Sequence, residues 1–317
     1  MRYRKLGNSE LSVSEISLGT WGICEGVSAE QMKRSLFTAL DLGINLIDTS
    51  NSYASGQAES FLGQTLKDVE RSSVLLATKV FFPVTPGDGC LSAKQIKKNI
   101  DLSLARLGVD YVDLYHCHRY DDATPLEETM TALSDVVEQG KARYIGFSEW
   151  TPAQIKAAVQ IGEVVPFMSS QPQYSMLWRD PEADVFPVCA DHGIGQIVWS
   201  PLAQGILSGK YVVGNTPATG TRAANLQMNG YLMRELYRDA TLRAVQQLVP
   251  IAQSLGLSMP QFALAWVLQK EEVASAIIGA SHPEQVVENV GASGVLLDQA
   301  VMSKVDQILS PVLNNDS

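Results

Sequence analysis

Positive charge is scarce in this 317-residue chain: 24 lysines and arginines stand against 34 aspartates and glutamates, for a formal net charge of −10. A nucleic-acid or anionic-membrane partner would favour a basic face, so neither is expected. Cysteine is scarcer still. Cys24, Cys90, Cys117 and Cys189 show no CxxC spacing, which argues against a disulfide framework and reads as free thiols in a reducing compartment. The four histidines include no HxxxH pair. His116 and His118 are read as facing opposite sides of one strand, His116, His192 and His282 as ordinary core or surface residues, and no metal site is expected. No apolar run reaches the roughly 18 residues of a membrane helix, and Met1-Arg2-Tyr3-Arg4-Lys5 lacks an apolar signal core. A soluble cytoplasmic protein is the expectation. A glycine-rich phosphate loop after the first strand is also missing. That position reads Leu18-Gly19-Thr20-Trp21-Gly22-Ile23, which disfavours an open, doubly wound sheet.

What is present is a rhythm. Residues 2–13 alternate polar and apolar around Gly7-Asn8-Ser9, a hairpin signal. Apolar strands are then expected at Ile16–Trp21, Ile44–Asp48, Val74–Lys79, Tyr111–His118, Ala142–Ser148, Phe167–Gln171, Gly195–Leu202 and Ala276–Gly279. Helical patterns fall between them, including Pro181–Asp191, Ala240–Leu255, Met259–Gln269 and Pro283–Asn289, with one more at Asp298–Leu309. Nearly continuous apolar strands separated by helices signal a parallel sheet covered on both faces. Eight such units at a spacing of roughly 30 residues predict a (β/α)8 TIM barrel. It is expected as one domain over residues 1–317, with an N-terminal β-hairpin and a long Gly/Thr/Asn-rich insertion, 204–238, after strand 7.

In such a barrel all strand C-termini open on one face, where chemistry is done. Asp48, Lys79, His118, Ser148, Gln171, Trp199 and Gly279 fall at or just past expected strand ends, and Tyr53 follows Asp48 in a turn-rich loop. A phenol is a poor acid at neutral pH unless its anion is stabilised. A lysine ammonium does that, an aspartate keeps the ammonium charged, and a histidine steers a carbonyl oxygen toward the phenol proton. The alternatives are a buried salt bridge with two bystanders, or a Schiff-base lysine. A charged Asp48 would keep Lys79 protonated and so opposes the second. A proton donor without a nucleophile suggests a hydride from a cofactor as the other reactant. Gly279-Ala280-Ser281-His282-Pro283-Glu284-Gln285 offers a glycine, a hydroxyl donor and a helix start for phosphate. Trp199-Ser200-Pro201 offers an indole to stack on a flat ring.

These segments resemble the aldo-keto reductase superfamily over essentially the whole chain. The matching stretches are Gly43 to Asp48 with Tyr53, Ala77-Thr78-Lys79-Val80, Leu107 to Leu114 leading to His118, Gly140 to Ser148, Trp199 to Ala203, and Ile278 to Ser281 through Glu288-Asn289. The resemblance implies an NADPH-dependent oxidoreductase that reduces an aldehyde or ketone, with Tyr53 as acid, Lys79 and Asp48 as its tuners and His118 orienting the substrate. It implies a cofactor site of Thr20, Trp21, Asp48, Ser148, Gln171, Trp199, Ser200, Pro201, Leu202, Ala203, Gly205, Lys210, Arg222, Gly279, Ala280, Ser281, Gln285, Glu288 and Asn289. The Gln171–Met176 and Trp199–Tyr211 segments look most like the branch of potassium-channel β subunits and their bacterial relatives, which leaves a nicotinamide-responsive binding subunit as the alternative. Two departures stand out. Glu149 follows Ser148 where many members have Asn, and it is left outside the expected site. His118 stands where channel subunits carry Asn, which favours a working reductase. The expected partner is a small-molecule carbonyl substrate, with a homo-oligomer allowed. Specificity is expected from Trp21, the Phe81–Leu91 loop, Tyr120 and the insertion.

Overall fold

The structure, a computed structural model, describes residues 1–23, 27–225 and 236–313. The hairpin forms where the Gly7 turn predicts: β1 (Tyr3–Lys5) pairs antiparallel with β2 (Ser12–Ser14). Gly7 sits at φ +52, and a Cβ there would strike the Gly193 carbonyl, so both backbone geometry and space demand glycine.

Eight parallel strands close into a barrel in chain order: β3 (Ile16–Gly19), β4 (Leu46–Asp48), β5 (Leu75–Val80), β6 (Val112–Cys117), β7 (Ala142–Phe147), β8 (Phe167–Ser170), β9 (Gly195–Val198) and β10 (Val273–Ile278), with β10 returning to β3. The register sets Gly19 beside Asp48, Asp48 beside Ala77, and Lys79 beside His116. Helices α1 (Ala29–Asp41), α2 (Gln57–Leu66), α3 (Ala93–Leu107), α4 (Leu126–Glu138), α5 (Pro152–Val159) and α6 (Val185–Asp191) connect the successive strands from β3 to β9. After β9 come two 3-10 turns, Ala203–Ser208 and Arg222–Ala224, then α7 (Asp239–Ser254) and α8 (Met259–Val267). After β10 come α9 (Pro283–Val290) and α10 (Gln299–Leu313). Capping boxes start α1, α5 and α8: Ser28 with Gln31, Thr151 with Gln154, and Ser258 with Gln261. Each satisfies two amides that a helix start leaves unpaired.

Two apolar cores result. One fills the layer between barrel and helices. The other lies inside the barrel, where hairpin residues Leu6, Leu11 and Val13 meet Leu46, Ala77, Leu114, Ile197, Ala274 and Ile277. The hairpin thus plugs the end where the strands begin and leaves the opposite mouth for chemistry.

Several expected boundaries shift. The helix expected over Pro181–Asp191 is a 3-10 turn, Asp180–Glu182, followed by α6, because Asp184 at φ −149 leaves the helical path. The seventh barrel strand ends at Val198 rather than Leu202, since Ser200 at φ +52 cannot extend a strand. The last strand begins at Val273 rather than Ala276, and α10 runs beyond Leu309 to Leu313. Residues 226–235 of the expected insertion, and Cys24, lie outside the described residues. Among the described residues no single helix is long and apolar enough to cross a membrane.

Candidate active site

Asp48 is the last residue of β4, and Lys79 is the penultimate residue of the neighbouring β5. The two strands pair in register, so the ammonium reaches back to the carboxylate. Lys79 Nζ lies 2.6 Å from Asp48 Oδ1, donates to the Thr49 carbonyl at 2.8 Å, and lies 3.3 Å from the Tyr53 hydroxyl. Its three donors are thereby matched to three oxygens. Asp48 is 3 % exposed and Lys79 0 %. A pair so deep survives only if the remaining bonds of both ions are also met. Gln171, just past β8, meets the other side by donating from Nε2 to Asp48 Oδ2 at 2.9 Å. Burial alone would push the Lys79 ammonium down; Asp48 and the Tyr53 oxygen outweigh it and raise its pKa. The lysine is a fixed cation, which weighs against the Schiff-base alternative.

Tyr53 opens a 3-10 turn, Tyr53–Gly56, in which Ala54 and Ser55 take left-handed φ of 47° and 54°. Non-glycine residues hold that conformation only when their surroundings force it. Three rings surround the phenol and its partner. Trp21 meets Tyr53 edge-on at 5.0 Å, His118 lies 5.8 Å from Tyr53, and Phe82 packs 4.9 Å from His118. His118 Nδ1 is 3.2 Å from the Ser50 hydroxyl. Burial first, then the Lys79 and Arg119 charges, hold the His118 pKa well below its usual value. It is therefore a neutral hydrogen-bonding group. Arg119 donates to the His118 carbonyl at 2.6 Å and lies 3.5 Å from Ser148 Oγ.

One expectation is corrected here. His116 and His118 do not face opposite ways. Residues two apart on a strand share a face, and both rings point into the barrel. His116 sits one layer deeper, with Nε2 2.7 Å from Ser169 Oγ. Its pKa is pushed down to about 3, by burial and then by Lys79. Among the described residues no cluster of ligating side chains could hold a metal. Tyr120 follows β6 in the loop beyond His118. It packs edge-on to Trp150, which stacks on Phe147.

The other candidates follow the rim. Thr20 is buried, with its N–H on the Asp48 carbonyl at 3.0 Å and its hydroxyl 2.8 Å from that of Thr49; it locks β3 to β4. Ser148 donates to the Gln171 carbonyl at 2.8 Å. Trp199 follows β9, and then Ser200, Pro201, Leu202 and Ala203 turn sharply, with Ser200, Ala203 and Gln204 all at positive φ. Lys210 bends back toward this turn. Its Nζ lies 5.3 Å from the Tyr211 ring centroid and 3.3 Å from a Cβ built on Gly205. The Arg222 turn docks on the same tyrosine, Ala223 N–H donating to the Tyr211 hydroxyl at 3.3 Å.

The residues beyond β10 fit a phosphate-bearing cofactor. A Cβ built on Gly279 meets no atom within 4 Å, so the chain's own packing does not require glycine there; close approach of a ligand would. Ala280 behind it is buried. At the start of α9 the N–H and hydroxyl of Ser281 both point at Gln285 Oε1, at 2.8 and 3.2 Å. These are donors of the kind an anionic oxygen takes at a helix N-terminus. Glu288 is half-buried, whereas Asn289 is 3 % exposed, so Glu288 is the more accessible of the two to an adenine.

Three contributors at the mouth fall outside the expected site residues. Ser50 sets the His118 ring, Phe82 walls it, and Glu149 contacts Trp199. Ser50 sits in the run after Asp48, and Phe82 in the Pro/Gly-rich loop, but neither has a periodic signal of its own. Glu149 was visible only as a departure.

The family model described as "Aldo/keto reductase family" matches residues 15–310. A protein of Oryza sativa subsp. japonica named "Probable voltage-gated potassium channel subunit beta" is 39% identical over 98% of this chain and 97% of its own length. A protein of Arabidopsis thaliana with the same name is 38% identical over 98% of this chain and 97% of its own. With a closed eight-stranded barrel, an Asp–Lys–Tyr cluster at its mouth and these similarities along nearly its full length, the chain belongs to the aldo/keto reductase family.

Proposed function

We propose that the protein is an NADPH-dependent oxidoreductase that reduces a small aldehyde or ketone to the alcohol. The observation that carries this reading is the Lys79 ammonium, buried 2.6 Å from Asp48 and 3.3 Å from the Tyr53 hydroxyl. A fixed cation beside a phenol stabilises the negative charge that builds on its oxygen as the proton leaves. Tyr53 is then the general acid. In the tautomer in which Nδ1 accepts from the Ser50 hydroxyl, His118 carries its proton on Nε2, and as a neutral ring it donates to the carbonyl oxygen without competing for the acid role. Trp21 and Phe82 flank the substrate position and exclude water. The nicotinamide, when bound, supplies the hydride. Gln171 gives its amide N–H to Asp48, which leaves its side-chain carbonyl to accept from a carboxamide, with Ser148 beside it. In this reading Trp199 stacks on the ring, and Lys210, Arg222, Ser281 and Gln285 receive the phosphates. The free thiols Cys90, Cys117 and Cys189 suit a reducing cytoplasm.

The names of the relatives, channel β subunits, favour a second reading in which the protein is a subunit that docks on another protein, with nicotinamide as the ligand it responds to. NADPH oxidation with a panel of aldehydes separates the two. Turnover that Tyr53→Phe abolishes is the outcome for the enzyme. Tight NADPH binding with negligible turnover on every substrate would favour the subunit.

A further inference from the structure

Glu149 follows β7 at φ +59, a left-handed conformation that a non-glycine residue adopts at a cost. Its Oε1 accepts two hydrogen bonds, from the backbone N–H of Gln173 at 2.6 Å and from the indole N–H of Trp199 at 2.8 Å. The donors lie just past β8 and β9, and a bridge joins Gln173 to Trp199. One carboxylate therefore ties the ends of three successive strands. The backbone of Trp199 is already fixed, since its N–H donates to the Pro172 carbonyl at 3.1 Å and its own carbonyl accepts from Tyr174 at 3.2 Å. The ring rests against the apolar cluster inside the barrel. Such a contact limits how deep the indole sits but not its rotation, because apolar packing is non-directional. The directional restraint is the bond to Glu149, and a charged acceptor makes it a strong one.

We propose that Glu149 is a positioning residue: it fixes the indole plane of Trp199 so that the ring stacks on the nicotinamide, and it acts on the cofactor only through that ring. The inference rests on the nicotinamide reading above. A residue that merely stapled the loop would loosen the whole rim. One that positions Trp199 affects the nicotinamide half of the cofactor and leaves the adenosine half alone.

The test compares calorimetric binding of NADPH with that of 2′-phospho-ADP-ribose, which lacks the nicotinamide. Glu149→Ala is expected to weaken NADPH by about tenfold and to leave the truncated nucleotide within about twofold. Glu149→Gln keeps a carbonyl acceptor and restores NADPH binding. Placed on a Trp199→Phe background, Glu149→Ala adds nothing, because phenylalanine has no N–H to hold. Without any cofactor, the Trp199 indole proton exchanges faster with solvent in Glu149→Ala than in the wild type. Should Glu149→Ala fail to fold, Glu149→Asp, one methylene short of the indole, takes its place with the same expectations. Equal weakening of both nucleotides, or a loss that persists on the Trp199→Phe background, overturns the proposal. A wild type that binds NADPH with Glu149→Ala unchanged overturns it alone, while a wild type that binds neither nucleotide overturns the reductase reading and this inference with it.

Discussion

Lys79 holds three oxygens at once, so the residues around it are not interchangeable under mutation. Tyr53→Phe removes one oxygen at 3.3 Å and leaves the Asp48–Lys79–Gln171 chain intact. Its stability cost should be about 1 kcal/mol, and its NADPH affinity nearly that of the wild type. Carbonyl reduction should fall by roughly 10²–10⁴-fold, the range for a lost general acid. Lys79→Met leaves the Asp48 carboxylate, 3 % exposed, with Gln171 as its side-chain partner. An uncompensated buried charge costs roughly 3–5 kcal/mol, so this variant should lose both turnover and stability. Urea unfolding beside steady-state kinetics checks the contrast. Equal stability of the two variants would mean that the ion pair is not what holds the barrel mouth. Wild-type turnover in Tyr53→Phe would move the acid role elsewhere, with His118 first in line.

At the level of elements, the chemistry depends on strands that cannot shift. Gly146 of β7 lies against Ser169 of β8 and His116 of β6, and a Cβ built there overlaps both. Gly146→Ala should therefore destabilise by about 1–3 kcal/mol through overpacking, read as a lower urea midpoint; an unchanged midpoint would show slack inside the barrel. The segment after β9 carries a different expectation. A 2′-phosphate brings up to two negative charges that need donors and cations. Lys210, the Arg222 turn and Ser281 supply candidates. NADPH is accordingly expected to bind at least about tenfold tighter than NADH, or about 1.4 kcal/mol, and Arg222→Ala to narrow that gap. Equal wild-type affinities would sink the preference. Unchanged discrimination in Arg222→Ala would leave Lys210 and Ser281 to account for it.

These elements also show what the sequence could reveal. Strand ends were legible because an apolar run that stops at Asp48 or Ser148 announces both the strand and its polar tip. Lys79 was legible by contrast with the residues before it. What crosses the barrel was not. The Gln171–Asp48 bond joins β8 to β4, and no local pattern encodes a pairing that closure alone brings about. The Glu149–Trp199 bond is hidden for the same reason. The misreading of His116 has another cause: a period of two already puts it on the same face as His118, and what the sequence hid is only its depth, the open mouth or the sealed layer below, which depends on the register between strands. The direction of Tyr120, whose ring packs on Trp150, was not legible either, because a loop residue has no period to fix it.

Across the whole molecule, the deep placement of both histidines links folding to pH. In the native barrel His116 is pushed down to about 3 and His118 well below its usual value, burial being the larger cause for each and the Lys79 ammonium the next. In the unfolded chain a histidine titrates near 6.5. Below that pH the unfolded state binds protons that the folded state refuses, so stability rises with pH through the window and is lost as pH falls beneath about 6.5. His116 costs about 1.4 kcal/mol per pH unit there, hence about 2 kcal/mol by pH 5, and His118 adds to the loss in the same direction. The carboxylates act in the same direction but later. Glu15, where bonds to Ser293 and Arg4 outweigh burial, and Asp121, where backbone bonds do, both have lowered pKa values. Their contributions are lost only as pH drops through the ordinary carboxylate range. Lys79 works at the opposite end, because its raised pKa makes its contribution fade only as pH climbs past the usual lysine range. The protein should therefore start to lose stability between pH 6.5 and 5, before its carboxylates titrate. His116→Gln, which keeps an amide within reach of Ser169, should make that slope shallower. Urea midpoints from pH 7.5 to 5 decide the matter: a flat wild-type profile, or an unaltered slope in His116→Gln, would mean that these rings take up protons without unfolding the barrel.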